Sequence, residues 1–179
     1  MILLLIMYIT LVDISEVIDW ICIDRYKTEQ QYIGVNWAEH PILANDHLKT
    51  NIAKALLESS VKYDIDPMLI LATMWRESYL DNKVASLEKL GAKGEKGLMQ
   101  ILPKGVCDKN CDFSTIGGQV DCGAKCLKSN IVACNGNISY GLSRYRSGGK
   151  CMETKAGKRR YRLYKLLKKV LKYGKEENH

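Results

Sequence analysis

Apolar positions recur at helical spacing along most of this chain, and the elements they predict are helices. Leu48, Ile52, Ala55, Leu56 and Ser59 share one face of a helix predicted from residue 46 to about residue 63, with Asp46 as its N-cap. Asp64-Ile65-Asp66-Pro67 reads as a stop and restart. Asp66 fits an N-cap, and Pro67 fits the first helical position, where its missing N–H is harmless. The run Met68 to Trp75 is apolar nearly all round, which predicts a helix buried on most sides, ending at Arg76-Glu77-Ser78. Residues 81–97 are looser, with glycines at 91, 94 and 97, and Gly117-Gly118 reads as a turn. A short helix is predicted over 137–146. From Thr154 to Tyr173 the chain reads as a basic amphipathic helix whose apolar face holds Tyr161, Leu163, Tyr164, Leu166, Leu167, Val170 and Leu171. Its lysines and arginines read as a solvated outer face.

The N-terminus is apolar from Met1 to Val12, and Asp13, Glu16 and Asp19 then interrupt it. That run is too short to span a bilayer comfortably. It suits the apolar region of a secretory signal, although no Lys or Arg precedes it and no small-x-small site follows. A signal peptide, a weak anchor giving weak membrane association, and a buried N-terminal helix are the three readings of this segment. The resulting division is an apolar segment 1–22, an irregular arm 23–45 and a main domain 46–173. The domain includes a cysteine-rich segment 107–151, and a polar tail 174–179 follows it.

Composition narrows the function. A chain of 179 residues, 46% apolar and 26% charged, supports one domain with a sizeable core. The net charge of +7 draws it toward polyanions. There is no arginine-rich tract and no aromatic-basic interleave, so nucleic acid is not an expected partner. Ten tyrosines against one phenylalanine favour partly wet aromatic sites, of which stacking on sugar rings is one use. Cys22 stands apart from Cys107, Cys111, Cys122, Cys126, Cys134 and Cys151. In an exported chain such a cluster suggests disulfides, with pairing open. The doublets Cys107-x3-Cys111 and Cys122-x3-Cys126 keep zinc as the rival. His40, His47 and His179 fall in no metal or triad pattern, and no glycine-rich phosphate loop is present, so neither cofactor nor catalytic metal is expected.

The candidate chemistry centres on Glu77. A carboxylic acid can protonate a leaving oxygen only if it holds its proton near working pH, and apolar surroundings disfavour the charged form. Ile70, Thr73 and Met74 lie on the Glu77 face of its helix. The helix C-terminus adds a dipole that disfavours an anion.

Glu77-Ser78 closing an apolar helix, then Gly97-Leu98-Met99-Gln100, then Tyr145-x-x-Gly148, in that order, resembles the soluble lytic transglycosylase (SLT) domain, a family related to goose-type lysozyme. The resemblance covers about residues 46 to 170. It implies a mainly α, lysozyme-like domain, here with a disulfide-rich loop segment, acting on peptidoglycan glycan strands. It assigns the catalytic acid and base to Glu77 and a substrate-binding role to Ser78. Gly97, Leu98, Met99 and Gln100 would line the sugar cleft, and the Tyr145 hydroxyl would lie near the catalytic carboxyl. Arg146 stands where the family usually has Asn, and a cation there that pointed inward would favour ionised Glu77.

The implied reaction cleaves the β-1,4 bond between N-acetylmuramic acid and N-acetylglucosamine and leaves a 1,6-anhydro end. A goose-type-lysozyme-like hydrolase needs a second carboxylate, for which Asp81, Glu88 and Glu95 are nearest in sequence. A non-catalytic peptidoglycan-binding or structural module is the other alternative. The expected protein is a monomer working outside the cytoplasm: secreted, periplasmic, cell-wall associated or carried on a virion.

Overall fold

The structure, a computed structural model, describes residues 10–25, 42, 45–105, 107, 108 and 110–176. These residues fold as helices, and their only β-pairing is an isolated antiparallel bridge between Lys96 and Ile101. The fold is thus mainly α, as the apolar spacing predicts.

Helix α1 (Leu11–Trp20) starts in a reciprocal cap, with Thr10 and Asp13 each accepting from the other's backbone N–H. It continues as a π-helical turn, Ile21–Arg25. Ile14, Val17, Ile18, Ile21 and Cys22 are buried in the core. Residues 11–22 of the segment read as signal, anchor or buried helix therefore pack against the domain, while residues 1–9 lie outside the described residues. So does most of the arm, 26–41, and the end of the tail, 177–179. No helix among the described residues is long and apolar enough to cross a membrane.

Helix α2 (Asp46–Tyr63) is capped by Asn45 rather than Asp46: the Asn45 side chain accepts the Leu48 N–H at 2.9 Å. Asp46 sits in the first turn instead, paired with Lys49 at 3.2 Å. Helix α3 (Pro67–Ser78) begins as its sequence indicates, with Asp66 accepting the Met68 N–H at 2.9 Å. Every residue from Pro67 to Trp75 is buried. Burial of each large apolar side chain there contributes about 1.5–3 kcal/mol, so α3 is the rigid centre of the fold. Tyr79, with φ of 52°, turns the chain away, and the short α4 (Asn82–Ala85) follows.

Helix α5 (Ile116–Ala133) begins at Thr115, whose hydroxyl accepts the Gly118 N–H at 3.0 Å. Gly117 and Gly118 thus belong to the first turn of a helix, not to a turn between elements. A Cβ at Gly118 would overlap the Asp112 carbonyl, so glycine is what lets this helix start against its own leading loop. Helices α6 (Ile138–Ser147) and α7 (Lys155–Glu176) complete the domain. Asp66 serves twice: it caps α3 and also accepts from Tyr164 at 3.1 Å and Lys168 at 3.2 Å, fastening α7 beside α3.

Three disulfides pair Cys107 with Cys126, Cys111 with Cys122, and Cys134 with Cys151. Cys122 and Cys126 lie one turn apart on α5 and bind the 107–111 loop to it like two rungs. Much of the segment expected to be loop is this helix. With six cysteines in disulfides, the zinc reading loses its thiolates, and Cys22 is a buried free thiol.

Candidate active site

The last turn of α3 brings Arg76 and Glu77 to the edge of an open cleft of about 730 Å³. Gln100, Ile101 and Leu102, then Arg144, Tyr145 and Arg146, also line it, as do the disulfide-bonded Cys107 and Cys126. Three stretches far apart in sequence therefore meet at one groove.

Glu77 is not a lone carboxyl among apolar groups. Its Oε1 accepts from Arg160 Nη2 at 2.6 Å, and the two side chains are only 7% and 5% exposed. Arg160 comes from α7, where it also donates through Nη1 to the Ala156 carbonyl at 3.3 Å. The basic-face reading of α7 hid it, because nothing in a run of cations distinguishes the one that turns inward. Arg146 is exposed on the cleft rim. Its charge acts on Glu95, whose carboxyl is held below its usual range first by the Lys93 backbone N–H, at 2.7 Å, then by its own N–H, with smaller help from the Lys93 and Arg146 charges.

Tyr145 donates its hydroxyl to the Met99 carbonyl at 2.7 Å. Burial pushes this phenol well above the usual tyrosine range, the Glu77 charge adds to the effect, and Arg160 partly offsets it. The phenol therefore keeps its proton and stays a donor.

The Gly97–Gln100 turn is closed by the Lys96–Ile101 bridge and needs left-handed backbone at both ends, φ 68° at Gly97 and 48° at Gln100. Gly97 has a second constraint, since a Cβ there would lie 2.7 Å from Gln119 Oε1. Gln119, buried on α5, holds the turn in place. It accepts the Leu98 N–H at 3.0 Å and donates to the carbonyls of Ala85 at 2.8 Å and Phe113 at 3.0 Å. Leu98 and Met99 are fully buried, and Met99 packs against Gly123, where any side chain would collide with it. Of these four turn residues, Gln100 alone reaches the cleft lining, and Gly97, Leu98 and Met99 form the layer beneath.

Ser78 is buried outside the lining; its hydroxyl donates to the Met74 carbonyl at 3.1 Å and accepts the Leu80 N–H at 3.3 Å, closing the helix end. Asp81 is also buried, capping α4 through the Lys83 N–H at 2.9 Å and pairing with Lys89 at 3.1 Å. Glu88 is exposed and accepts from Ser86 at 2.9 Å. Glu95, of the three acids singled out in sequence, lines the cleft.

Helix α6 carries Tyr145 and α7 carries Arg160, and the two helices approach closely where Gly157 meets Ser143. A Cβ at Gly157 would overlap the Ser143 hydroxyl. No cluster of three His, Cys, Asp or Glu able to hold a metal occurs among the described residues.

No curated protein and no solved structure significantly matches the chain. The family model of the transglycosylase SLT domain matches residues 54–167, more than half of the chain. That stretch holds Glu77, the Gly97–Gln100 turn, Tyr145 and Arg160, and on this match the chain belongs to the transglycosylase SLT domain family.

Proposed function

We propose that this protein is a peptidoglycan lytic transglycosylase with Glu77 as its acid and base. The observation that supports this most is the convergence of Glu77, Gln100 and Tyr145, from three separate parts of the family-matched stretch, on one open cleft. In the proposed reaction, protonated Glu77 gives its proton to the glycosidic oxygen as the muramoyl C1–O4 bond breaks. The carboxylate then takes the proton of the muramoyl C6 hydroxyl as O6 closes on C1. The product is a 1,6-anhydro end, no water is consumed, and Glu77 regains its proton. Gln100 offers its side-chain amide to the sugar from the cleft wall. Tyr145 keeps a neutral phenol beside the reacting carboxyl. Ser78, Gly97, Leu98 and Met99 act from below by fixing the end of α3 and the turn. The disulfides suit a protein that works outside the cytoplasm.

Glu95 gives a second reading specific support. It is a carboxylate in the same cleft, kept ionised by backbone N–H donors. A hydrolase uses such a group to activate water or to meet the sugar cation.

Digestion of purified peptidoglycan with product masses separates the two. Anhydro-muropeptides are expected, with turnover abolished in Glu77→Gln. Reducing ends would convert the assignment to a lysozyme, and undiminished turnover by Glu77→Gln would remove Glu77 from it.

A further inference from the structure

We infer that Arg160 is a positioning residue that clamps one oxygen of Glu77 and leaves the other to carry the proton; this rests on Glu77 being the acid and base proposed above. On α7 the cations Lys155, Lys158, Arg159, Arg162, Lys165 and Lys169 are exposed, whereas Arg160 is 4% exposed. A guanidinium is not buried without a partner, and the partner it takes is the cleft carboxylate, at the short distance of a charge-assisted bond. Arg160 meets Oε1, and Oε2 has no partner among the described residues. Arg160 itself is absent from the cleft lining, while Glu77 and Tyr145 belong to it. The guanidinium thus holds Glu77 from behind and touches no substrate.

The location argues against a purely structural pair. Buried ion pairs contribute little net stability compared with apolar residues of the same size. This one sits at the C-terminal end of α3, where the helix dipole opposes a carboxylate. A cation there compensates the dipole at the carboxyl that must lose and regain a proton. The charged and titratable groups around Glu77 are Tyr145 from α6, Arg160 from α7 and Arg76 on its own helix. Lys93, Glu95, Arg144 and Arg146 line the rest of the cleft. Arg160 is the cation in direct contact.

Two consequences follow for the chemistry. The clamp orients Oε2 for proton transfer to the glycosidic oxygen. A cation in contact with the acid also couples the pH dependence of activity to Arg160.

The test compares the pH dependence of kcat/KM on purified peptidoglycan for wild type, Arg160→Gln and Arg160→Lys, with folding checked by circular dichroism and thermal unfolding. Arg160→Gln should move the alkaline limb upward by about 1–3 pH units and lower kcat. Arg160→Lys should leave the limb near its wild-type position while losing kcat through the poorer single-point contact. A folded Arg160→Gln protein whose limb does not move overturns the inference. Should Arg160→Gln fail to fold, wild type alone decides: the Arg160 side-chain nitrogen resonances must titrate with the same midpoint as the alkaline limb, and flat resonances across that range overturn the inference. Titration of the Glu77 carboxyl carbon, assigned against Glu77→Gln, needs no turnover. A midpoint that shifts in Arg160→Gln without any peptidoglycan cleavage by wild type leaves the clamp standing and removes the proposed function instead.

Discussion

The Tyr145 phenol donates to the carbonyl oxygen of Met99 across 2.7 Å, joining α6 to the turn on the facing side of the cleft. The cleft-lining and supporting layers are therefore one bonded unit. Tyr145→Phe leaves a buried carbonyl unpaired, and a loss of about 1–3 kcal/mol is expected in urea unfolding. The turn would relax beside the carboxyl proposed to react, so kcat should fall about 10²-fold. A Phe variant with full turnover would show that the hydroxyl matters neither to the wall nor to the chemistry.

Gln119 makes the comparable link from α5. Gln119→Leu removes the buried acceptor for the Leu98 N–H, the buried donor to the Ala85 carbonyl and the part-buried donor to the Phe113 carbonyl. Stability should drop by about 2–3 kcal/mol. Glycan binding should weaken as well, because Gln100 depends on the turn that Gln119 holds. Isothermal titration with a non-cleavable glycan fragment checks this, and unchanged affinity in the folded variant would contradict it.

The disulfide between Cys134 and Cys151 closes 17 residues between the end of α5 and the approach to α7. Cys134→Ser with Cys151→Ser should destabilise the protein by about 3 kcal/mol, the loop-closure value for that length. The comparison is thermal unfolding of wild type and double variant without reductant. Equal midpoints would mean that this bridge constrains nothing the helices do not already fix.

Alkaline pH should unfold the protein. Burial raises the Cys22 thiol and the Tyr145 and Tyr164 phenols above their ordinary values, with the Asp19, Glu77 and Asp66 charges adding respectively. The native state therefore keeps protons that the unfolded chain releases. The stability these groups provide is complete below the ordinary thiol value of about 8.5 and the ordinary phenol value of about 10. It is lost as pH rises beyond each of them. Unfolding free energy measured from pH 8 to 11 should fall, and should fall less steeply in Cys22→Ala. Identical slopes would mean that the thiol makes no contribution.

Much of the scaffold is legible in the sequence because it rests on local chemistry. Asp66-Pro67 announces a helix start, the unbroken apolar run to Trp75 announces burial, and together they put Glu77 where a buried helix meets solvent. What stays hidden is set by contacts between distant residues. Asn45 and Asp46 are both good caps, and only the backbone decides between them. Gly117-Gly118 looks like a turn until Thr115 is seen to start a helix in front of it. The four-residue spacing of Cys122 and Cys126 takes on meaning once both lie on α5, facing the loop that carries Cys107 and Cys111. Arg160 and Gln119 carry no motif. One is concealed among cations, the other is an ordinary glutamine, and each matters through a partner more than 20 positions away.

Glu77 and its guanidinium partner are separated by 83 positions, and the partner rides on α7, the last helix among the described residues. During synthesis the acid, the turn and the tyrosine all leave the ribosome first, and the clamp comes last. A chain interrupted before α7 would lack this guanidinium and leave the Glu77 carboxyl without it. Assembly of the Glu77–Arg160 pair therefore waits for α7, whichever elements form before it.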